Sequence, residues 1–315
     1  MSVIPVDFRA SHAHFHAESA PELSVTQLGA SLYVPANRPD LAMIAHGKKP
    51  LSVRSLIFCT EDALREQDLE PALNQLAALL PELETGPVLR FIRPRNPSVL
   101  RRLLRMNGIE QIQGFVLPKI GPRTLGDWLR VWDDRYGHWL MPVLETLETF
   151  DRRQMEVLRN GLEDSGLRER VLCLRIGGND LLNLLGIRRA RGSTIYDTPL
   201  RGVIADLACV FLPAGYFLSA PVFEHLDMPD VLTREVEADL QHGLVGKTAI
   251  HPTQIPIIEE KYRISREDYE IASAVLNPDA VAVFKLRGTF CEPATHQRWA
   301  AGVLERARVF GVGST

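Results

Sequence analysis

The stretch 55–92, SLIFCTEDALREQDLEPALNQLAALLPELETGPVLRFI, holds two short apolar runs with a helical pattern between them. The runs lie at 55–59 and 88–92, and each is long enough for one strand. The helical pattern consists of leucines at the 3.6-residue period: Leu69, Leu73, Leu76 and Leu80. A strand, a helix and a second strand in this order predict two parallel strands joined by a helix.

The same alternation extends over most of the chain. Eight apolar runs occur, at 31–35, 55–59, 88–92, 114–118, 139–144, 171–176, 216–220 and 245–251. They are apolar at nearly every position, which is typical of parallel strands that are buried on both faces. Eight such units fit a closed barrel better than an open doubly wound sheet, so we predict an α/β fold of the TIM (β/α)8 barrel type over residues 26–252.

Two further segments flank the predicted barrel. Residues 1–25 show no clean period and are predicted to be a flexible lead-in. Residues 253–315 are predicted to form a C-terminal helical extension with one apolar stripe, made of Trp299, Val303, Ala307 and Phe310. This stripe either covers the barrel or packs against a neighbouring subunit.

The composition is that of an ordinary soluble globular protein. The 315 residues are 45% hydrophobic and 24% charged, with a formal net charge of −3. No basic stripe indicates nucleic-acid binding, no run of about 18 apolar residues indicates a membrane span, and residues 1–10 lack the apolar segment of a signal peptide. The four cysteines are scattered without a CxxC pair, so we expect reduced thiols and a cytoplasmic location.

Polar residues follow most of the predicted strands, at the face of the barrel where active sites of this fold lie. They are Glu61 and Asp62 after strand two, Arg93 after strand three, Lys119 after strand four, Glu145 after strand five, Asp180 after strand six and His251 after strand eight. We expect Glu145 and Asp180 to share one Mg²⁺, which needs only one or two protein carboxylates. An arginine would then bind the carboxylate of the substrate in bidentate fashion.

In their order and spacing, these residues resemble the citrate lyase beta-subunit family, which includes malyl-CoA and related lyases. The segments that carry the resemblance are LYVPANRP at 32–39, EDA at 61–63, the region of Arg93, LPK at 117–119, LET at 144–146, GGNDL at 177–181 and GKTAIHPTQ at 246–254. Each segment alone is weak evidence, whereas the ordered set is specific.

The resemblance implies a TIM barrel that binds Mg²⁺ through Glu145 and Asp180 and cleaves a carbon–carbon bond in a small organic acid, often as its CoA thioester. It also implies assembly as a trimer or hexamer. Glu61, Asp62 and Lys119 would shape the catalytic site. The residues predicted to bind the substrate or its CoA are Asn37, Arg38, Gly178, Asn179, Lys247 and His251.

The family also has an arginine after strand three that holds the acid and stabilises enolate charge. The family motif there is usually Arg-x-Asn, whereas this chain reads RPRN at 93–96. Arg93 and Arg90 therefore both remain candidates for that role.

Three other positions depart from the family pattern. Cys59 replaces an aspartate and Ala36 replaces a glycine. Near the C-terminus, Cys291 replaces an aspartate that can act as an acid in another subunit, and Glu292 follows it. These changes bear on the use of CoA more than on the metal.

Two lysines and a histidine tract have competing interpretations. LVGKT at 244–248 lacks the first glycine of a phosphate-binding loop, so we favour a turn at strand eight and still expect Lys247 and His251 to face the site. Lys119 has the chemistry for a Schiff base, but beside a metal pair we favour an electrostatic role. His12, His14 and His16 alternate as in metal-binding tracts, yet their place near a loose terminus favours an incidental polar tract.

Three hypotheses about function follow. The first is a Mg²⁺-dependent lyase or aldolase that acts on a small hydroxy- or oxo-acid or its acyl-CoA, as a homo-oligomer without nucleic-acid or membrane partners. The second is a metal-dependent hydrolase of an acyl thioester, or a phosphotransfer-like enzyme, on the same site. The third is a binding subunit that keeps the fold without the chemistry.

Overall fold

A computed structural model of the chain describes residues 23–49 and 52–313. The barrel strands are β1 (Ala30–Pro35), β2 (Ser55–Cys59), β3 (Leu89–Arg93), β4 (Gly114–Leu117), β5 (Trp139–Leu144), β6 (Leu174–Ile176), β7 (Leu218–Ser219) and β8 (Lys247–Ala249). All eight predicted strands are present, although the last three are shorter than the apolar runs that predicted them. Most of the predicted lead-in, with its three histidines, lies outside the described residues.

Helices alternate with these strands. They are α1 (Leu41–Ala45), α2 (Leu69–Leu79), α3 (Pro97–Leu103), α4 (Leu125–Leu129), α5 (Arg152–Asp164), α6 (Gly178–Leu184), α7 (Leu200–Phe211), α8 (Pro229–Gln241), α9 (Gln254–Tyr262), α10 (Arg266–Val275) and α11 (Pro293–Phe310). No helix in the described ranges combines the length and the apolar character needed to cross a membrane.

The eight strands form one parallel sheet in the order β7-β6-β5-β4-β3-β2-β1-β8. A parallel bridge between Ala220, just after β7, and Lys247 of β8 joins the two ends of this order. The sheet is therefore closed, and the predicted TIM barrel is confirmed. All carboxyl ends of the strands consequently meet at one face, which is where the polar strand-end residues lie.

Side chains along each strand alternate between the inside of the barrel and the surrounding helices. On β2, Ile57 belongs to the inner cluster, whereas Leu56 and Phe58 pack in the outer core against the helices. Phe91 and Met141 extend the inner cluster across the barrel. Because both faces are apolar, the strands show no period of two in the sequence.

A single turn, Val25–Leu28, closes the amino end of the barrel. Val25 and Leu28 are buried against the inner cluster, and the Ser55 hydroxyl donates to the carbonyl of Leu28 at 2.6 Å. Val25, which the sequence analysis placed at the end of the lead-in, thus contributes to the core.

The segment after α9 has a small apolar core of its own, in which Ile264, Ile271 and Val303 are buried. Besides α10 and α11 it contains an antiparallel hairpin of β9 (Phe284–Leu286) and β10 (Thr289–Cys291), which the sequence analysis did not predict. The two-residue turn Arg287-Gly288 has positive φ at both positions, +52° and +83°. This is the geometry of a tight hairpin turn, but arginine is an unusual residue for its first position.

Candidate active site

Arg93, the last residue of β3, lies at the centre of a group of carboxylates at the carboxyl face of the barrel. Its Nη2 is 2.7 Å from Glu61 Oε2, 3.2 Å from Asp62 Oδ2 and 3.1 Å from Glu145 Oε1. Glu61 and Glu145 are almost fully buried, whereas Asp62 is half-exposed. The guanidinium Nε of Arg93 is also buried and has no hydrogen-bond partner among the described residues.

Arg95 fixes the loop that carries Glu61 and Asp62. Its guanidinium donates to the carbonyls of Thr60, Glu61 and Leu64 at 3.2, 3.2 and 2.7 Å. Three bonds from one rigid group leave the loop little freedom, because each satisfies a carbonyl that a flexible loop would expose to water. Arg95 therefore acts on the site by positioning its acidic loop.

Lys119 contributes both its backbone and its ammonium group. Its φ is +53°, which is rare for a residue with a side chain, and this turn directs its N–H to Glu145 Oε1 at 2.9 Å. The Thr124 hydroxyl donates to the carbonyl of Lys119 at 2.8 Å and so supports the strained residue. The ammonium pairs with Glu61 and lies 3.6 Å from Asp62.

Gly177, directly after β6, leaves room for the side chain of Glu145. A Cβ at position 177 would lie 2.3 Å from Glu145 Oε2 and 2.4 Å from Glu145 Cβ. The β6 backbone thus packs on the glutamate that ends β5. Asp180 follows in the first turn of α6 and is half-buried beside this glutamate.

Burial and neighbouring carboxylates raise the pKa of Glu145 and of Asp180. Burial raises the pKa of Glu145 to about 7, with Arg93 opposing the shift and the charge of Asp180 adding to it. Burial also raises the pKa of Asp180, and the charge of Asp62 raises it further, while Lys119 and Arg93 oppose. Like charges raise each other's pKa only when they lie close together, so Glu145, Asp180 and Asp62 form one electrostatic group.

The donors present fit a hard divalent cation. Four carboxylates, Glu61, Asp62, Glu145 and Asp180, face only Arg93 and Lys119, which leaves two negative charges uncompensated when all are ionised. No three or more His, Cys, Asp and Glu side chains in the described residues form a metal cage made of protein alone. Mg²⁺ does not require such a cage, because it keeps several waters and binds one or two carboxylates.

Two residues predicted for the site do not lie there. Arg90 is three residues before Arg93 and so points to the opposite face of β3, where it donates to the carbonyls of Ala45 and Glu84 at 3.0 and 2.7 Å. Lys247 begins β8 at the amino end and points to α8, where it is fully buried against Glu235 and Asp239 at 2.9 and 2.8 Å. Both predictions are corrected by the alternation of side chains along a strand.

The remaining predicted binding residues follow strands at the same face as the carboxylates, and all but Gly178 are exposed. Asn37 and Arg38 follow β1, where Arg38 pairs with Asp40 at 2.8 Å. His251 follows β8 and its Nδ1 lies 2.8 Å from the Thr253 hydroxyl. Asn179 is exposed, whereas Gly178 is buried and a Cβ there would lie 2.8 Å from Pro221 Cβ, so close packing requires this glycine.

Comparison with known proteins assigns the family. A family model described as a C–C bond lyase of the TIM-barrel fold matches residues 22–312. The chain belongs to this C–C bond lyase family. The resemblance to citrate lyase beta subunits seen in the sequence is thereby confirmed, whereas a search of curated protein sequences gave no match.

Solved structures share the fold of this chain. CitE from Mycobacterium tuberculosis, in complex with magnesium, acetoacetate and coenzyme A, is 22% identical with a TM-score of 0.63, over 89% of this chain and 98% of that chain. The M. tuberculosis citrate lyase beta subunit complexed with oxaloacetate and magnesium is 20% identical, with a TM-score of 0.56 over 76% and 100%. Haloferax volcanii malate synthase is 14% identical, with a TM-score of 0.61 over 73% and 72%. At these identities the likeness shows the fold alone.

At the C-terminal position where the family pattern has an aspartate, this chain has a buried thiol. Cys291 is fully buried in the small C-terminal core. Glu292 is only half-buried, and its carboxylate accepts from the Thr295 hydroxyl at 3.0 Å. Of the two, only Glu292 has a side chain that water reaches.

Two residues near the carboxylates were not predicted as functional. Tyr33 of β1 was noted only as part of a motif, and Arg175 of β6 only as part of an apolar run. A positive charge inside a run predicted to be buried on both faces was the signal for Arg175. Nothing in the sequence shows that the two meet inside the barrel.

Proposed function

We propose that this member of the C–C bond lyase family is a Mg²⁺-dependent enzyme that cleaves or forms a carbon–carbon bond in a small hydroxy- or oxo-acid or its CoA thioester. The observation that carries the proposal is the group of four carboxylates around Arg93 and Lys119 at the carboxyl face of the barrel. The magnesium, oxaloacetate, acetoacetate and coenzyme A named for the structural neighbours support it.

Glu145 and Asp180 are the proposed metal ligands. They follow adjacent strands, and burial together with nearby carboxylates raises the pKa of each. A divalent cation between them would remove that repulsion and favour the ionised form of both. Lys119 N–H and Gly177 fix the position of the Glu145 carboxylate, so one ligand is oriented before any ion binds.

Arg93 is the residue proposed to bind the substrate acid. All three of its ion pairs involve Nη2, and its Nε has no partner within the described part of the chain. A substrate carboxylate or enolate at this face of the barrel would be stabilised by the positive charge of this guanidinium. Lys119 would add a second positive charge, since its raised pKa, which ion pairing with Glu61 produces against the effect of burial, keeps it protonated. A protonated amine is not a nucleophile, and this argues against a Schiff base.

The chemistry follows from these charges. Cleavage of a 3-hydroxy acid breaks the bond between C2 and C3. A base takes the hydroxyl proton, the electron pair of the O–H bond forms the carbonyl at C3, and the electron pair of the C2–C3 bond becomes that of an enolate. A bound Mg²⁺ would polarise the carbonyl that becomes the enolate. Arg93 and Lys119 stabilise the same negative charge from fixed positions, which is how preorganised cations accelerate such steps.

Calorimetric titration with Mg²⁺, followed by a panel of 2-oxo acids, tests the site. We expect Glu145→Gln and Asp180→Asn each to weaken Mg²⁺ binding at least tenfold, because each removes a charged ligand. Glu148→Gln is the matched control, since Glu148 lies in the same loop but pairs with Arg123 at 3.2 Å. Unchanged Mg²⁺ binding in both site variants would contradict the assignment.

Product analysis distinguishes the reaction from its alternative. Malyl-, citramalyl- and citryl-CoA would be incubated with the protein and the products identified by NMR. We expect a shorter acyl-CoA or acid together with a 2-oxo acid or aldehyde. Release of free CoA with an intact acyl chain would instead indicate a thioester hydrolase.

A further inference from the structure

Arg175 places a positive charge inside the barrel below the proposed active site. Its side chain extends from β6 and is 2% exposed, with Nη2 2.7 Å from the Thr248 hydroxyl and Nη1 3.4 Å from the Ser31 hydroxyl. Its Nε has no hydrogen-bond partner, and no carboxylate pairs with it anywhere in residues 23–49 and 52–313. A buried cation without a counter-ion is costly, and an apolar side chain would pack there against Met141 and Cys173 without that cost.

Tyr33 lies close to both this arginine and Arg93. The Arg175 guanidinium carbon is 5.6 Å from the centre of the Tyr33 ring, and that of Arg93 is 5.9 Å from it. Both distances are in the range of cation–π attraction, so both guanidinium groups attract the ring. Tyr33 packs on the inner cluster of the barrel. It lies two residues after Ser31 on β1, on the same face of the strand.

The hydroxyl of Tyr33 has no hydrogen-bond partner among the described residues. The residue is partly exposed, whereas its neighbours Leu32 and Val34 are buried. Because its hydroxyl oxygen is not among the buried unpartnered atoms of the described residues, it is open to water or to a ligand. Arg93 is at the same time part of the carboxylate group, so the phenol borders the space where a substrate would be bound.

We propose that Tyr33 is a further substrate-contacting residue, whose hydroxyl donates a hydrogen bond to an anionic oxygen of the bound acid. We further propose that Arg175 is a positioning residue, which holds the ring so that its hydroxyl meets the bound acid. The proposal rests on the proposed function, because it takes the carboxylate group to be the active site.

The charge state of the phenol agrees with a donor. Burial raises the pKa of Tyr33, and the charges of Arg175 and Arg93 reduce that shift without reversing it. The hydroxyl is therefore protonated at neutral pH. A neutral donor directed at a developing oxyanion stabilises the negative charge as it forms. Loss of one such donor typically lowers the rate 10²–10³-fold.

Binding of oxalate in the presence of Mg²⁺ tests the proposal, because oxalate is a planar dianion with the geometry of a 2-oxo acid enolate. We expect Tyr33→Phe to weaken oxalate binding at least tenfold, the loss typical of one hydrogen bond to a charged group. Mg²⁺ binding measured without oxalate should not change. Tyr216→Phe is the matched control, since Tyr216 stacks on Arg168 at 4.1 Å at the amino end of the barrel.

A double-mutant cycle tests the part played by Arg175. We expect Arg175→Met to weaken oxalate binding in the parent protein but to have no further effect in the Tyr33→Phe background, because Arg175 acts through the ring. Arg175→Lys should recover part of the loss. A fold defect would instead lower the thermal midpoint and the Mg²⁺ affinity together, and would do so in both backgrounds.

The outcomes separate the two proposals. Oxalate binding that is unaffected by Tyr33→Phe, in protein that binds Mg²⁺ normally, overturns the role of Tyr33 and leaves the metal site intact. Additive effects of Tyr33→Phe and Arg175→Met overturn the positioning role of Arg175. Parent protein that binds neither Mg²⁺ nor oxalate overturns the proposed function and the inference that depends on it.

Discussion

Gly177 shows how one residue controls the approach of two strands at the site. The carboxylate of Glu145 occupies the space that a side chain at position 177 would need, at 2.3 Å from the hypothetical Cβ. The glycine does not serve a left-handed turn, since its φ is −86°. Its role is to let a buried carboxylate lie against the β6 backbone, from where Lys119 N–H can reach it at 2.9 Å.

Gly177→Ala should therefore impair the metal site more than the fold. The new methyl group must displace Glu145 or the β6 backbone, and overpacking of this kind costs about 1–3 kcal/mol. We expect at least a tenfold loss of Mg²⁺ affinity by calorimetry, with a smaller relative change in the free energy of unfolding. Gly202→Ala is the control: it lies in α7 with open space around it and should stabilise the protein slightly. Equal Mg²⁺ affinity in Gly177→Ala would show that Glu145 is not a ligand.

At the scale of elements, a buried ionic network attaches α8 to β8 and to the loop before α7. Glu235 of α8 binds Lys247 Nζ at 2.9 Å, pairs with Arg189 and accepts from Ile195 N–H at 2.7 Å. Asp239, one turn further along α8, binds Lys247 at 2.8 Å and the Tyr196 hydroxyl at 2.7 Å. The network satisfies polar groups on three elements at once, and this explains why Lys247 lies here rather than at the active site.

Lys247→Met should destabilise the whole protein. It keeps the volume of the side chain but leaves two buried carboxylates without their shared cation, which typically costs about 3–5 kcal/mol. Chemical denaturation followed by circular dichroism measures the change. Arg308→Met is the control, because the Arg308–Glu305 pair is exposed and such pairs contribute about 0–1 kcal/mol. If both variants lost equally little stability, the network would not be contributing through its buried charges.

In the described residues, the barrel and the segment after α9 have apolar cores of very different size. The barrel holds the outer core and the inner cluster, whereas Ile264, Ile271, Ala272, Val275, Cys291, Ala300 and Val303 form a separate small core. Contacts between this second core's helices and the barrel include Arg54, which donates to the Val309 carbonyl at 3.0 Å and lies over the Phe310 ring. A region with little buried apolar area opens at lower free energy than the rest.

Native-state hydrogen exchange should detect this difference. We expect amides of α10 and α11 to exchange at a lower opening free energy than those of β4 and β5. Ile271→Ala, which removes about 2–5 kcal/mol of buried packing, should accelerate exchange in α10 and α11 while the barrel strands remain protected. Acceleration to the same extent in both regions would show that the two cores unfold as one unit.

Much of the architecture could be read from the sequence because it depends on local patterns. Apolar runs and 3.6-residue periods identified all eight strands. Eight alternating strand–helix units favoured a closed barrel over an open sheet. Strand ends such as Glu61, Lys119 and Glu145 were found because parallel strands bring their carboxyl ends to one face. The hairpin turn at Arg287-Gly288 escaped prediction, because arginine gives no sign of a positive φ.

Only the tertiary structure decided which way each side chain points and what it meets. In a strand that is apolar on both faces, the sequence cannot tell the inward face from the outward one, so Arg90 and Lys247 were placed at the site although both point to the helices. The same ambiguity hid Tyr33 and Arg175, which meet across the closed barrel. Their encounter depends on the closure and register of strands far apart in the chain, and no local pattern encodes a distance of that kind.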